Sequence, residues 1–415
     1  MPLGPRTLLS ASLALLLAGA VACTGGDGAE APAATAVAPS AASTDGAQLR
    51  EGAGPPLSAA EQVIARQSLS AFPLLDPTLR SIDLTEIDFG GRRDEIPALI
   101  NIGTLSQDVM DRFLVPDEPV ISVEINGEAR AYPVQILLWH EIVNDTVGGV
   151  PVLVSYCPLC NSAIVFDRRV AGGEARTFGV SGLLRMSDLI MYDHQTESLW
   201  QQISGEAIVG ADVGRRLTFL PSQTVSWQEF RDAFPEGLVL SINTGYVRNY
   251  GGSQYTEYDK PGTTTFFPFE GADDDRLDAK ERVLAVEIDG DTVAFPFSAL
   301  AEHIVLEAVV GGQPVVAFWQ PGTRSVLDRP LIAESADVGA AAAYSPEFDG
   351  RRLSFVARDG AIVDTQTGST WSVLGRAIAG PLRGAVLTPV VAGNHFWFAW
   401  IAFEPETWIV DGTDR

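Results

Sequence analysis

The stretch Val123-Glu124-Ile125-Asn126-Gly127-Glu128-Ala129-Arg130-Ala131-Tyr132-Pro133 decides the fold, because the chain writes it twice. Its echo is Val286-Glu287-Ile288-Asp289-Gly290, running on to Ala294-Phe295-Pro296. In both, apolar and polar residues alternate around Asn-Gly or Asp-Gly, the strongest short signal for a two-residue hairpin turn. The spacing holds beyond the hairpin: His140 answers His303, Val147-Gly148-Gly149 answers Val310-Gly311-Gly312, and Pro151 answers Pro314. Farther on, Asp193-His194-Gln195-Thr196 with Trp200 matches Asp364-Thr365-Gln366-Thr367 with Trp371, and Gly205, Ala207, Ile208 and Gly210 match Gly375, Ala377, Ile378 and Gly380. A run of this length reads as two pseudo-symmetric tandem lobes rather than a solenoid.

Each copy has the same reading. After the hairpin comes a short amphipathic helix, carried by Val134, Leu137, Leu138 and Ile142 in the first copy and by Leu300, Ile304 and Val305 in the second. A Gly-Gly turn, a long strand and further strands near Trp200 or Trp371 follow. The expected fold is α+β, mainly antiparallel sheet with short helices. The copies span 119–270 and 280–412. An N-terminal extension, 61–118, carries helical-looking segments at Ala59 to Ser68 and Ser106 to Leu114.

Residues 1–22 have the pattern of an export signal: Arg6, an apolar run from Leu8 to Val21, and Ala20-Val21-Ala22 before Cys23. That run is too short to span a bilayer. A small-residue site ending at cysteine resembles a bacterial lipobox, which makes Cys23 the candidate lipidation site. Ala20 stands where leucine is usual, and ordinary secretory cleavage at the same bond is the alternative. Residues 23–60, rich in Ala, Gly, Ser, Thr and Pro, read as a flexible tether on the order of 30 Å in coil dimension. The expected location is the cell envelope, anchored by lipid and facing the extracytoplasmic side. A formal net charge of −25 argues against nucleic acid as a partner.

The only thiols besides Cys23 lie in Cys157-Pro158-Leu159-Cys160, between the apolar runs Val152-Leu153-Val154 and Ala163-Ile164-Val165-Phe166. Thiolates are the softest metal ligands and the best redox nucleophiles a protein carries. Where the first copy has Tyr156-Cys157-Pro158-Leu159-Cys160, the second has Trp319-Gln320-Pro321-Gly322-Thr323, so a purely architectural turn does not require the sulfurs. The segment reads as a knuckle between two strands, with Asn161 at a left-handed position, rather than as the start of a helix. Three readings follow. One is a structural disulfide; a second is an open site for redox or soft-metal chemistry. The third is a closed zinc site, which would need two further ligands that the scattered histidines do not supply.

His140 is a candidate third ligand or base for Cys157, although His303 holds the matching place in a copy without thiols. Ser181 to Asp188 adds Arg185 as a positive neighbour, Met186 and Met191 as thioethers, and Asp188 as a proton acceptor. The two methionines keep copper(I) open, and core filling is their ordinary role. Tyr246, Tyr250, Tyr255 and Tyr258 cluster between the copies as a possible cleft rim.

The segments Glu124 to Pro133, Trp139 to Asp145, Tyr156 to Cys160, Phe178 to Leu183, and Ser187-Asp188-Leu189 with Thr196 to Trp200 resemble the domain-of-unknown-function family 3179. The likeness covers roughly residues 90–410 and implies no established activity. Some members carry selenocysteine in this Cys-Pro-x-Cys motif, which implies a redox nucleophile at Cys157 or Cys160. The leading expectation is thiol-disulfide chemistry on an unknown protein or small-molecule partner, with Cys157 attacking, Cys160 resolving, and His140, Arg185 and Asp188 moving protons. The alternatives are a carrier for copper(I) or another soft metal, using Cys157, Cys160 and His140 or Met186, and a non-catalytic interaction module with a structural disulfide.

Overall fold

Both copies of the opening motif are hairpins in the computed structural model, which describes residues 54–263, 265, 267 and 274–413. Strands β1 (Pro119–Ile125) and β2 (Glu128–Pro133) pair antiparallel across Asn126 and Gly127, whose φ angles of 51° and 80° are those of a type I′ turn. Helix α2 (Val134–His140) follows, after the earlier helix α1 (Ala59–Gln67) of the N-terminal extension. Then come β3 (Ile142–Val147), β4 (Val150–Cys157) and β5 (Ser162–Asp167), a meander. Gly148 is required at the β3–β4 turn: at φ 53°, a Cβ would stand 2.1 Å from the Ile125 carbonyl oxygen.

A second sheet contains β6 (Phe178–Arg185), β7 (Asp188–Asp193) and β8 (Leu199–Gln201). Strand β9 (Gln223–Ser226) returns to pair with β1, helix α3 (Trp227–Ala233) follows, and β10 (Leu238–Leu240) lies parallel to β2.

The succession then recurs. Strands β11 (Arg282–Ile288) and β12 (Asp291–Pro296) form the hairpin, helix α4 (Phe297–His303) follows, and β13 (Val305–Val310) pairs with β14 (Gln313–Gln320). Next are β15 (Ala340–Tyr344), β16 (Phe355–Arg358), β17 (Ala361–Asp364) and β18 (Thr370–Trp371). Strand β19 (Ala392–Phe396) pairs with β11, helix α5 (Trp397–Ile401) follows, and β20 (Trp408–Ile409) lies parallel to β12. The fold is α+β with mainly antiparallel sheets.

The N-terminal extension is woven into the same sheets. Ile87–Phe89 pairs with β6, Leu99–Ile100 lies parallel to β3, and Thr104–Leu105 pairs with β10. The helix anticipated over Ser106 to Leu114 is only Gln107–Met110. The described residues form one compact unit, and its largest hydrophobic cluster takes side chains from both copies: Val154, Phe166 and Trp200 with Val283, Phe396 and Trp397. Cys157 and Cys160 belong to that cluster, which sets the thiols inside the core rather than on a surface loop. The proposed signal, Cys23 and most of the tether lie outside the described residues. No described helix is long and apolar enough to cross a membrane.

Candidate functional site

The thiol turn is held by its strands and by two distant segments. Cys157 ends β4 opposite Ser162 at the start of β5, and Asn161 N donates to Pro158 O at 3.3 Å to close the turn between them. Asn161 takes φ 49°, the left-handed conformation its position calls for, and its Oδ1 accepts from Tyr156 Oη at 3.2 Å. From outside, Tyr258 Oη donates to Leu159 O at 2.9 Å, and Phe396 N of β19 donates to Cys160 O at 2.8 Å. Both cysteines are free thiols, 2% and 0% exposed.

The tip of the β6–β7 hairpin covers them. Met186 and Ser187 make its turn with φ 53° and 65°, and Ser187 O lies 3.4 Å from Cys160 Sγ and 3.9 Å from Cys157 Sγ. Ser187 Oγ donates to Phe267 O at 2.6 Å. The next residue, Asp188, is wholly buried, and the two sulfurs and one of its carboxylate oxygens lie within 4.8 Å of one another. Asp188 Oδ2 accepts from Gln201 Nε2 at 2.7 Å and from Ile203 N at 3.0 Å. Its Oδ1 is buried with no well-formed hydrogen bond among the described residues, although the Leu189 amide and the Cys160 thiol lie close to the carboxyl.

Burial governs the electrostatics. It pushes the Asp188 carboxyl up to about 6, although hydrogen bonds from Gln201, the Ile203 amide and the Cys160 thiol pull the other way. The Cys160 thiol is driven well above its ordinary range, by burial first and by Cys157 and Asp188 beside it. Glu141, at the end of α2, is pushed up to about 8 by burial and by the charge of Asp188. Lys280, 3% exposed, is pulled down to about 8 by burial; Asp259 and Asp278 oppose this, as would a charge on Cys160. Its Nζ donates to Tyr258 O at 2.7 Å and lies 3.3 Å from the centre of the Tyr258 ring.

A cavity of about 460 Å³ reaches this cluster. Cys157, Leu159 and Glu141 face it, with Val180, Leu189, Tyr255 and Phe267 among its walls; Cys160 is not on its surface. Cys157 is therefore the sulfur open to a small molecule, and Cys160 stands behind it with Asp188. The pair is not bridged, so the structural-disulfide reading finds no bond here.

The other anticipated site residues lie elsewhere. His140 is buried, but its Nδ1 pairs with Pro97 O at 2.8 Å and its Nε2 with Tyr250 Oη at 2.7 Å, so both ring nitrogens are engaged away from sulfur. Burial lowers its proton affinity, as suits a neutral packing histidine. Arg185 is turned to Glu86, 2.7 Å away, and lies 5.5 Å from the Phe403 ring centre. Met186 is half-buried at the hairpin turn, and Met191 is buried in the core. Of the expected proton-moving groups, the structure brings Asp188 alone to the sulfurs. Tyr255 and Tyr258 border the thiol turn, whereas Tyr250 serves His140.

Glu141, Gln201, Gln202 and Lys280 were not singled out from sequence, although a signal for three of them was present. Counting along the repeat, Glu141 matches Ile304, Gln201 matches Ser372 and Gln202 matches Val373. Each is a polar group around the thiol hairpin where the other copy has a small or apolar one: Glu141 shares the cavity wall with Cys157, and Gln201 donates to Asp188. Gln202 Nε2 donates to Ser155 Oγ at 3.0 Å and Ser162 O at 3.2 Å, bracing both strands of the thiol hairpin.

Neither the curated proteins nor the solved structures provide a match. A family model described as a protein of unknown function, DUF3179, matches residues 93–407, a span holding every residue of the thiol site, and the chain belongs to that family.

Proposed function

We propose that Cys157 and Cys160 form a reversible dithiol–disulfide couple served by Asp188. The observation that carries this reading is the Asp188 carboxyl, wholly buried with one oxygen unpartnered, held by a hairpin tip within 4.8 Å of both sulfurs. A buried carboxylate oxygen without a well-formed hydrogen bond is costly, and a thiol proton offers it one. In the forward direction the Cys157 thiolate attacks a disulfide of the partner, forming a mixed disulfide and releasing the first partner sulfur as thiolate. Asp188 takes the proton of Cys160, whose thiolate attacks Cys157 Sγ and releases the second partner sulfur. The protein ends as a Cys157–Cys160 disulfide, and the partner gains two electrons and two protons. Attack by Cys157 follows from its place on the cavity wall, and resolution by Cys160 from its place behind it.

The test is thiol state against a glutathione redox buffer, read by mass spectrometry on the exported protein. The expected result is reversible loss of two hydrogens, at a potential above the roughly −300 mV of structural disulfides. C160S should stop at a mixed disulfide on Cys157, and C157S should not react. A pair that stays as thiols in oxidised buffer, or cannot be reduced once bridged, would sink the reading.

One observation favours a second reading: two sulfurs and one carboxylate oxygen within 4.8 Å also make a three-donor set. A hard oxygen beside two thiolates suits zinc better than copper(I), and neither nitrogen of His140 is left to join it. Stoichiometric metal uptake by the reduced protein, lost in D188N as well as in either serine variant, would favour a carrier. We further propose that the protein is held at the cell envelope through a lipid on Cys23; C23A should then release it from membranes.

A further inference from the structure

The reach of the thiols limits what can meet them. Both are buried, and the approach to Cys157 runs through a cavity of about 460 Å³, the size class that encloses a small molecule and not a folded protein's disulfide. Leu159, Val180, Leu189 and Phe267 are among its apolar walls, with Gln254 and Tyr255 among the polar ones. The exposed Arg92 and Glu95 sit at the rim, where Glu95 Oε2 accepts from Arg92 N at 3.0 Å. Among the described residues, Glu141 and Tyr255 are the ionisable groups that line the cavity besides Cys157 and the exposed Arg92 and Glu95, and no described residue hydrogen-bonds the Glu141 carboxyl. A charged ligand would lose its hydration in this cavity, and Asp188, the carboxyl nearest the sulfurs, stands behind them and off the cavity surface, where it is poorly placed to offset a positive one. An anion would also meet the field of a chain of net charge −25.

We propose that the substrates of the Cys157–Cys160 couple are small, uncharged disulfides with apolar bodies, admitted through this cavity, while protein disulfides and charged small disulfides are excluded. The inference rests on the redox reading above. The balance is one protein dithiol and one RSSR giving one protein disulfide and two RSH. Cys157 breaks the S–S bond of the substrate and Cys160 releases the second thiol.

A matched series of reagents tests it on the full-length reduced protein at pH 6.5: bis(2-hydroxyethyl) disulfide, neutral; cystamine, a dication; dithiodiglycolate, a dianion; and oxidised thioredoxin as a protein disulfide. Each rate is divided by that of the same reagent with an exposed cysteine in a short peptide, which removes intrinsic reactivity. The expected outcome is a normalised rate for the neutral reagent at least about tenfold above each of the others, with thioredoxin slowest. Equal normalised rates would mean that the thiols react through local opening, and would overturn the inference while leaving the redox couple intact. Preference for cystamine would overturn it too, by showing that the overall field governs entry. If no reagent produces the intramolecular disulfide, the redox reading itself fails.

Discussion

The tip of the first meander and its counterpart in the second copy begin alike and then part. In both, the residue after the short helix holds a positive φ, 56° at Glu141 and 65° at Ile304, and its carbonyl accepts from the strand opposite, from Tyr156 N at 2.8 Å and from Trp319 N at 2.9 Å. In the first copy β4 turns after Cys157 within four residues and returns as β5. In the second, β14 reaches Gln320 and its partner β15 begins only at Ala340. Residues 321–339 leave the sheet between them and brace the connector above the thiols: Tyr258 N donates to Leu327 O at 2.9 Å, Glu257 N to Asp328 O at 2.8 Å and Ser253 N to Pro330 O at 3.0 Å. The neighbouring hairpins differ in the complementary sense. Phe178 pairs with Asp193 in the first copy and Phe355 with Asp364 in the second, so the β6–β7 hairpin outreaches β16–β17 by six residues. That extra reach carries Ser187 and Asp188 over the sulfurs. Similar strand successions thus carry a covered thiol turn in the first copy and, in the second, a long segment that braces the connector above it.

What the copies keep is fastening. Trp200 Nε1 donates to Asp193 Oδ2 and Trp371 Nε1 to Asp364 Oδ2, both at 3.0 Å. Thr196 and Thr367 donate to the same oxygens, both at 2.8 Å. If this motif is scaffold, D193A and D364A should each cost about 3–5 kcal/mol in urea unfolding, because each strands a buried indole N–H and turn amides. D193A should cost more, since Asp193 also pairs with Arg176 at 3.2 Å. D364A should leave the thiol–disulfide potential unchanged. A shifted potential would break the division into site and scaffold.

Glu141 against Ile304 offers a sharper contrast. With its carboxyl held to about 8, the native state keeps a proton that the unfolded chain releases near its ordinary value of 4.5. Between these values the unfolded state binds fewer protons, so stability falls as pH rises, and the favourable contribution is complete only below about 4.5. From pH 5 to 7.5 the loss should approach about 3 kcal/mol, at about 1.4 kcal/mol per unit. Asp188, raised to about 6, adds to the lower part of this window with the same sign. E141Q should lower the slope between pH 6.5 and 7.5 by about 1 kcal/mol per unit, leaving the part that Glu118 and Glu229, both pushed up to about 7 by burial, contribute with the same sign. An unchanged slope would mean that Glu141 titrates normally and faces water.

Local physics accounts for what sequence made legible. Asn126-Gly127 and Asp289-Gly290 announce their turns because few other residues accept two successive positive φ angles. The knuckle and the left-handed Asn161 are likewise within a few residues of the signals that reveal them. Lys280 was beyond reach, since it meets the site through a connector whose path is set by residues 321–339. His140 misled for a related reason: its position beside the thiol strand was read correctly, but Pro97 and Tyr250, distant in sequence, take both its nitrogens. The helix expected after Ser106 shrinks to one turn because the following residues end in turns at Pro116, leading into β1.

The smallest effect should come from Asn161, where two terms can be separated. At φ 49° its backbone disfavours a Cβ, and its Oδ1 accepts the hydroxyl of Tyr156. N161G removes the hydrogen bond while relaxing the backbone, and should cost about 1 kcal/mol or less. N161A removes the same bond and keeps the Cβ at a left-handed position, adding about 1 kcal/mol. The difference between the two variants therefore measures the turn's conformational demand less the extra unfolded-state entropy of glycine, about 0.4–1 kcal/mol. Gly322, at φ 107°, stands in the matching stretch of the second copy, where no tight turn follows. If N161A and N161G are equally stable, the thiol turn tolerates other backbone paths, and the contrast with the second copy rests on the sulfurs and the long hairpin instead.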